Sequence, residues 1–208
     1  MRRTGLIVEF CLLYAGLPLL FLLFRLPGHK VFWLGLMTIL CLLILRGQGL
    51  SPAAIATQGG RPDLRALVLR VIAAGLCITL LVLMLHPERF LEFPRSRPAF
   101  WLVVVCLYPL LSALPQEIVY RVFLFRRYEP LFGNGAAMVW ASSVSFAFLH
   151  IMYENLLAVA LSLVGGWLFS RAYRKCGSLF WVSVEHAAYG LLVFSLGLGR
   201  YFYNGPGH

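Results

Sequence analysis

The chain has 208 residues, 61% of them hydrophobic and 12% charged, with a mean hydropathy of +0.83 and a formal net charge of +10. These values exclude an ordinary soluble domain, and the eighteen basic residues are scattered through short breaks with no stripe that would read as a nucleic-acid surface. What remains is an all-α polytopic membrane protein in which loop charges serve topology and anionic headgroups.

A spanning helix needs about 20 mostly apolar residues, and the pattern predicts about seven such spans, within a range of six to eight. The first covers about Gly5 to Leu26, and the segment from Arg25 to Lys30 then reads as a turn with positive charge at both ends. The basic Arg2-Arg3 start resembles a signal peptide, but the apolar run is too long and lacks a small-residue cleavage site, so a retained first helix is expected. A short second span covers Val31 to Leu45. The glycine- and proline-bearing stretch from Arg46 to Arg61 reads as a loop with an interfacial piece, and a third span covers Leu64 to Leu85, closed by His86-Pro87.

The fourth hydrophobic stretch opens near Ala99 and contains Pro109 and Pro115. Proline removes a backbone donor and frees carbonyls, so a broken helix is expected here. Pro115 suits the first position of a new segment, leaving Gln116 and Glu117 in a first turn where the helix dipole favours a carboxylate. Two further spans, about Gly135 to Met152 and Asn155 to Arg174, are joined by almost no loop, and the last covers Ser178 to Leu198. Ten Lys and Arg residues fall on the side of the N-terminus and six on the other, which leans towards an N-inside orientation. The five cysteines, Cys11, Cys41, Cys77, Cys106 and Cys176, show no metal or disulfide spacing and read as small hydrophobes.

Against this apolar background five ionisable residues stand out: Glu117, Arg121, His150, Glu185 and His186. A charge near the bilayer centre costs about 3 kcal/mol on insertion scales, so such residues face a bundle interior or a watery cavity. Glu117 and Arg121 are four apart and share a helix face, as either a charge-neutralised packing pair or part of a site. Two histidines on further helices favour the second reading, since a carboxylate beside an imidazole is a standard means of activating water.

Three motifs in order, QEIVYR (116–121), FAFLH (146–150) and HAAYG (186–190), resemble the EExxxR, FxxxH and histidine-plus-four pattern of the CAAX protease and bacteriocin-processing (CPBP, or Abi) family of glutamic-type intramembrane endopeptidases. The resemblance covers about residues 99–203 and implies N-terminal transmembrane helices over 1–98 followed by a catalytic helical core, within one membrane domain. It also implies hydrolysis of a peptide bond in a membrane-anchored protein or peptide, with the lipid bilayer as the other partner. Glu117 assisted by His150 would activate water, Arg121 would orient Glu117, and His186 with Asn155 would stabilise the oxyanion.

Two positions depart from the family. Gln116 stands where the family has its water-activating glutamate, and an amide cannot act as a base; Glu117 is the expected replacement and Glu185 the secondary candidate. Gly190 stands where the family has asparagine, a loss for which Asn155 either compensates or, equally, serves only as a helix cap. No cofactor is expected, although a glutamate and two histidines are also a familiar zinc ligand set. The competing class is non-catalytic: a pseudo-protease, or a small transporter-like protein using its buried acids and histidines for protons. Ser162, Gly165 and Gly166 would there offer a small-residue contact surface. The size of the chain alone suggests a bacterial inner membrane.

Overall fold

The computed structural model describes residues 3–24 and 30–203. Arg2, the expected turn over 25–29 and the end of the first span at Leu26 lie outside them. Among the described residues there is no strand, and seven helices are long and apolar enough to cross a membrane: α1 Arg3–Phe24, α2 Lys30–Gly47, α3 Leu64–Leu85, α4 Pro98–Arg127, α5 Ala136–Tyr153, α6 Leu156–Cys176 and α7 Leu179–Leu196. The protein is an all-α, integral, multi-pass membrane protein. Its outer surface is a belt of exposed apolar side chains such as Leu12, Leu23, Leu76, Met84 and Leu110, as expected where the solvent is hydrocarbon.

Local chemistry sets the helix ends. Ser51, Asp63, Asn155 and Ser178 each accept a hydrogen bond from the backbone N–H three residues on. Pro87 stops α3, and Gly177, at φ +66, lets the chain leave α6 through the left-handed region. The loop between α2 and α3 contains a helical turn at Pro52–Thr57. It docks through Gly59, where a Cβ would lie 2.4 Å from the Gly177 backbone, and Gly60 N–H donates to the Cys176 carbonyl at 2.7 Å.

The interruption expected near Pro109 and Pro115 takes the form of two π-helical segments, Pro109–Ala113 and Ile118–Phe123, flanking a short α segment inside one continuous helical path. Widened turns leave backbone carbonyls short of partners, which in lipid must be met by neighbouring helices. Tyr14 of α1 donates its hydroxyl to the Val119 carbonyl at 2.9 Å, and Ser142 of α5 donates to the Tyr120 carbonyl at 2.7 Å. Ser170 of α6 donates in turn to Ser142 at 2.9 Å.

These contacts place the centre of α4 in the middle of the bundle. Val119, Tyr120, Phe123 and Leu124 are fully enclosed by Tyr14, Cys41, Leu45, Met138 and Phe146. At its far end Arg127 makes a two-pronged pair with Glu9 at 2.8 and 2.6 Å, which Tyr128 joins at 3.0 Å. The Ser162 and Gly166 surface brings α6 against α5: a Cβ on Gly166 would approach Ser143 and Phe146 to within 3.1–3.2 Å.

Losing a buried hydrogen-bond partner typically costs about 1–3 kcal/mol. Tyr14→Phe and Ser142→Ala should therefore each lower stability by that amount in a detergent thermal-unfolding assay. An unchanged midpoint in both variants would contradict this role for the two hydroxyls.

Candidate active site

Consecutive residues of α4 after Pro115 face different surroundings. Gln116 lines a cavity of about 890 Å³, a size typical of small-molecule and peptide clefts. Glu117, wholly enclosed, points between helices behind the cavity wall. One carboxylate oxygen of Glu117 accepts from His186 Nδ1 at 2.7 Å; the other lies 3.1 Å from Arg121 Nε. That second approach is an ion pair without hydrogen-bond alignment. The guanidinium is held instead between the faces of Phe146 and Phe169, at 4.9 and 5.6 Å, and donates to the Gly166 carbonyl at 3.4 Å. The continuous path of α4 leaves Glu117 away from any free helix N-terminus, so Arg121 and His186 stabilise its charge where a helix dipole was expected to.

His186 stacks on Phe169, with centroids 4.6 Å apart, and meets Phe146 edge-on at 5.5 Å. Its ring reaches the cavity wall. Since Nδ1 is committed to Glu117, Nε2 is the nitrogen left for a ligand.

His150 opens the last, 3₁₀ turn of α5 and lines the same cavity. Its Nδ1 lies 2.8 Å from the Phe146 carbonyl, which can only accept, so Nδ1 carries the hydrogen and the Nε2 lone pair remains. Phe146 thus touches both imidazoles and Arg121 at once. Gln116 Nε2 donates to Ser112 at 2.8 Å, and its Oε1 has no hydrogen-bond partner.

Two of the expected site residues go elsewhere. Asn155 caps α6, accepting from Ala158 N–H at 2.8 Å, and its amide nitrogen donates to the Tyr153 and Tyr201 carbonyls at 3.1 and 2.8 Å. It does not line the cavity. Glu185 faces α3, where Arg70 holds both its oxygens at 2.8 and 3.1 Å and Tyr189 donates at 3.0 Å. That pair ties α7 to α3 away from the cavity. Arg70 could have been found as a cation set more than a turn inside the third apolar run.

Among the described residues no three His, Cys, Asp or Glu side chains converge as metal ligands, and Glu117 and His150 bond to different partners.

The cavity walls are largely apolar, with Phe100, Val104, Leu107 and Leu111 from α4. At the end formed by the segment between α3 and α4 and by the C-terminal residues they carry Arg89, Arg97 and Arg200, together with Lys30 and Glu92.

A family model described as "Type II CAAX prenyl endopeptidase Rce1-like" matches residues 98–192. The matched segment contains all three motifs and nearly every residue of the cluster, and it agrees with the resemblance read from those motifs. No curated protein and no solved structure matches the chain.

Leaving one member of a fully buried ion pair without its partner costs about 3–5 kcal/mol. Arg121→Met should therefore sharply reduce the yield of folded protein. Glu117→Gln combined with Arg121→Met should recover part of it, as read by monodispersity and unfolding midpoint. Equal behaviour of the single and double variants would show that the charges do not pair.

Proposed function

On the premise that residues 98–192 carry the Rce1-like family pattern, we propose that this protein is an intramembrane endopeptidase acting on a membrane-anchored protein or peptide. The observation that carries the reading is the 2.7 Å bond between Glu117 and His186 at the wall of a cavity that His150 also lines. An imidazole whose Nδ1–H is held by a buried carboxylate presents Nε2 as a general base, oriented and stabilised as an imidazolium when it takes a proton.

In this scheme a water in the cavity gives one proton to His186 Nε2 while its oxygen attacks the carbonyl carbon of the scissile peptide bond. His150 Nε2 accepts a hydrogen bond from the water's other O–H, which stays on the oxygen, and so fixes its position. When the C–N bond breaks, His186 returns its proton to the leaving amine. Glu117 acts through His186, a different assignment from direct deprotonation by Glu117, because both its oxygens are engaged and it is wholly enclosed. Arg121 keeps Glu117 in place. The apolar walls suit a substrate presented from the lipid phase.

A second reading, a pseudo-protease that binds a partner segment without cutting it, is favoured by one feature: the cavity-lining residue of the first motif is the amide Gln116.

The test is cleavage of a fluorogenic prenylated peptide by the full chain in proteoliposomes. Removal of a general base is typically worth about 10²–10⁴-fold. His186→Ala and His150→Ala should each lose at least the smaller factor while remaining folded, and Gln116→Glu should raise the rate by supplying a carboxylate at the cavity wall. A folded wild-type chain that binds the peptide and leaves it intact, with Gln116→Glu gaining cleavage, would instead establish the pseudo-protease.

A further inference from the structure

We propose that Tyr108 is a further catalytic residue of this cavity, its hydroxyl donating a hydrogen bond to the scissile carbonyl oxygen as negative charge develops there. The inference rests on the endopeptidase reading.

Gly190 lies four residues beyond His186 on α7, on the same helical face. A Cβ built on Gly190 would lie 2.2 Å from the Tyr108 hydroxyl oxygen and 2.4 Å from two of its ring carbons. Tyr108 therefore occupies the volume a side chain at 190 would fill. It reaches that place from the last turn of α4 before Pro109, with its ring edge-on to Phe194 at 5.2 Å and beside His186 at 6.2 Å. The absence of a side chain at Gly190 thus makes room for a phenol next to the imidazole, on the wall of the cavity that His150 and Gln116 also line.

Donor bookkeeping gives this hydroxyl its role. The proposed chemistry leaves His186 and His150 with Nε2 as acceptors towards the cavity, and the side-chain oxygen of Gln116, enclosed and without a hydrogen-bond partner, is also an acceptor. One Gln116 amide hydrogen goes to Ser112. An oxyanion forming beside these groups needs a donor, and no protein group among the described residues hydrogen-bonds the Tyr108 hydroxyl. A tyrosine O–H in a largely apolar cleft is a preorganised donor whose strength is undiminished by bulk water. It gives up no proton: the O–H polarises the carbonyl while His186 handles proton transfer.

The experiment uses the same proteoliposome assay and prenylated peptide. Deleting one oxyanion donor typically costs about 10²–10³ in kcat, so Tyr108→Phe, which keeps the ring and its packing, should lower kcat at least about 100-fold, with KM changed by less than about threefold and an unchanged unfolding midpoint. Tyr108→Ala combined with Gly190→Asn puts an amide donor into the vacated volume and should recover at least about tenfold over Tyr108→Ala alone. An active wild type with Tyr108→Phe equally active overturns the role of Tyr108 and leaves the endopeptidase reading standing. A wild type without cleavage overturns both. Loss confined to KM, or a double variant no better than Tyr108→Ala, also overturns the assignment by marking Tyr108 as a packing residue.

Discussion

A fully enclosed carboxylate, Glu117, held between Arg121 and His186, is the interaction on which the arrangement of the bundle depends. An unpaired charge at that depth would cost several kcal/mol, so the helix that carries it must bring its own counter-charge and find a proton-bearing partner across the bundle. Arg121 supplies the first from the same helix, and His186 supplies the second from α7. Phe146 and Phe169 then close over the guanidinium and the imidazole, making one unit of side chains from α4, α5, α6 and α7. This unit reaches the cavity wall through the His186 ring together with Phe146 and Phe169.

Such a unit needs a helix that departs from regular α geometry, and α4 does so twice. Gln116 and Glu117 sit between its two π segments, and the Val119 and Tyr120 carbonyls of the second are met by hydroxyls from α1 and α5. The N-terminal half of the chain is therefore more than a membrane anchor. Tyr14 and the pairing of Glu9 with Arg127 and Tyr128 fix α4 against α1, while Arg70 of α3 secures α7 through Glu185. The two buried acids of the C-terminal half thus have separate places: Glu117 faces the His186 imidazole, and Glu185 anchors a helix.

Much of this was legible in the residues because lipid imposes simple rules. Seven apolar runs of spanning length became seven helices, and the three motifs marked the stretch that the family model also matches. The i, i+4 spacing announced the Glu117–Arg121 pair, whereas Asn155 was open to two equal readings, an oxyanion donor or a helix cap, and only its contacts show the cap. What remained hidden depends on how helices face each other. Prolines signal that a helix is disturbed but not that it continues through π turns. Tyr108 carries no charge and belongs to no motif. Its place beside His186 emerges only when α4 packs on α7 over the missing side chain of Gly190. The partner of Glu185 likewise lies 115 residues away, beyond any local pattern.

The central claim is that Glu117 works through His186, and a double-mutant cycle on cleavage rate addresses it directly. Groups that act as a unit show grossly non-additive losses. The account predicts that Glu117→Gln with His186→Asn in one folded chain is no slower than the worse of the two single variants. Losses that multiply would mean that the two residues act independently, and the carboxylate–imidazole arrangement would not be the source of activity.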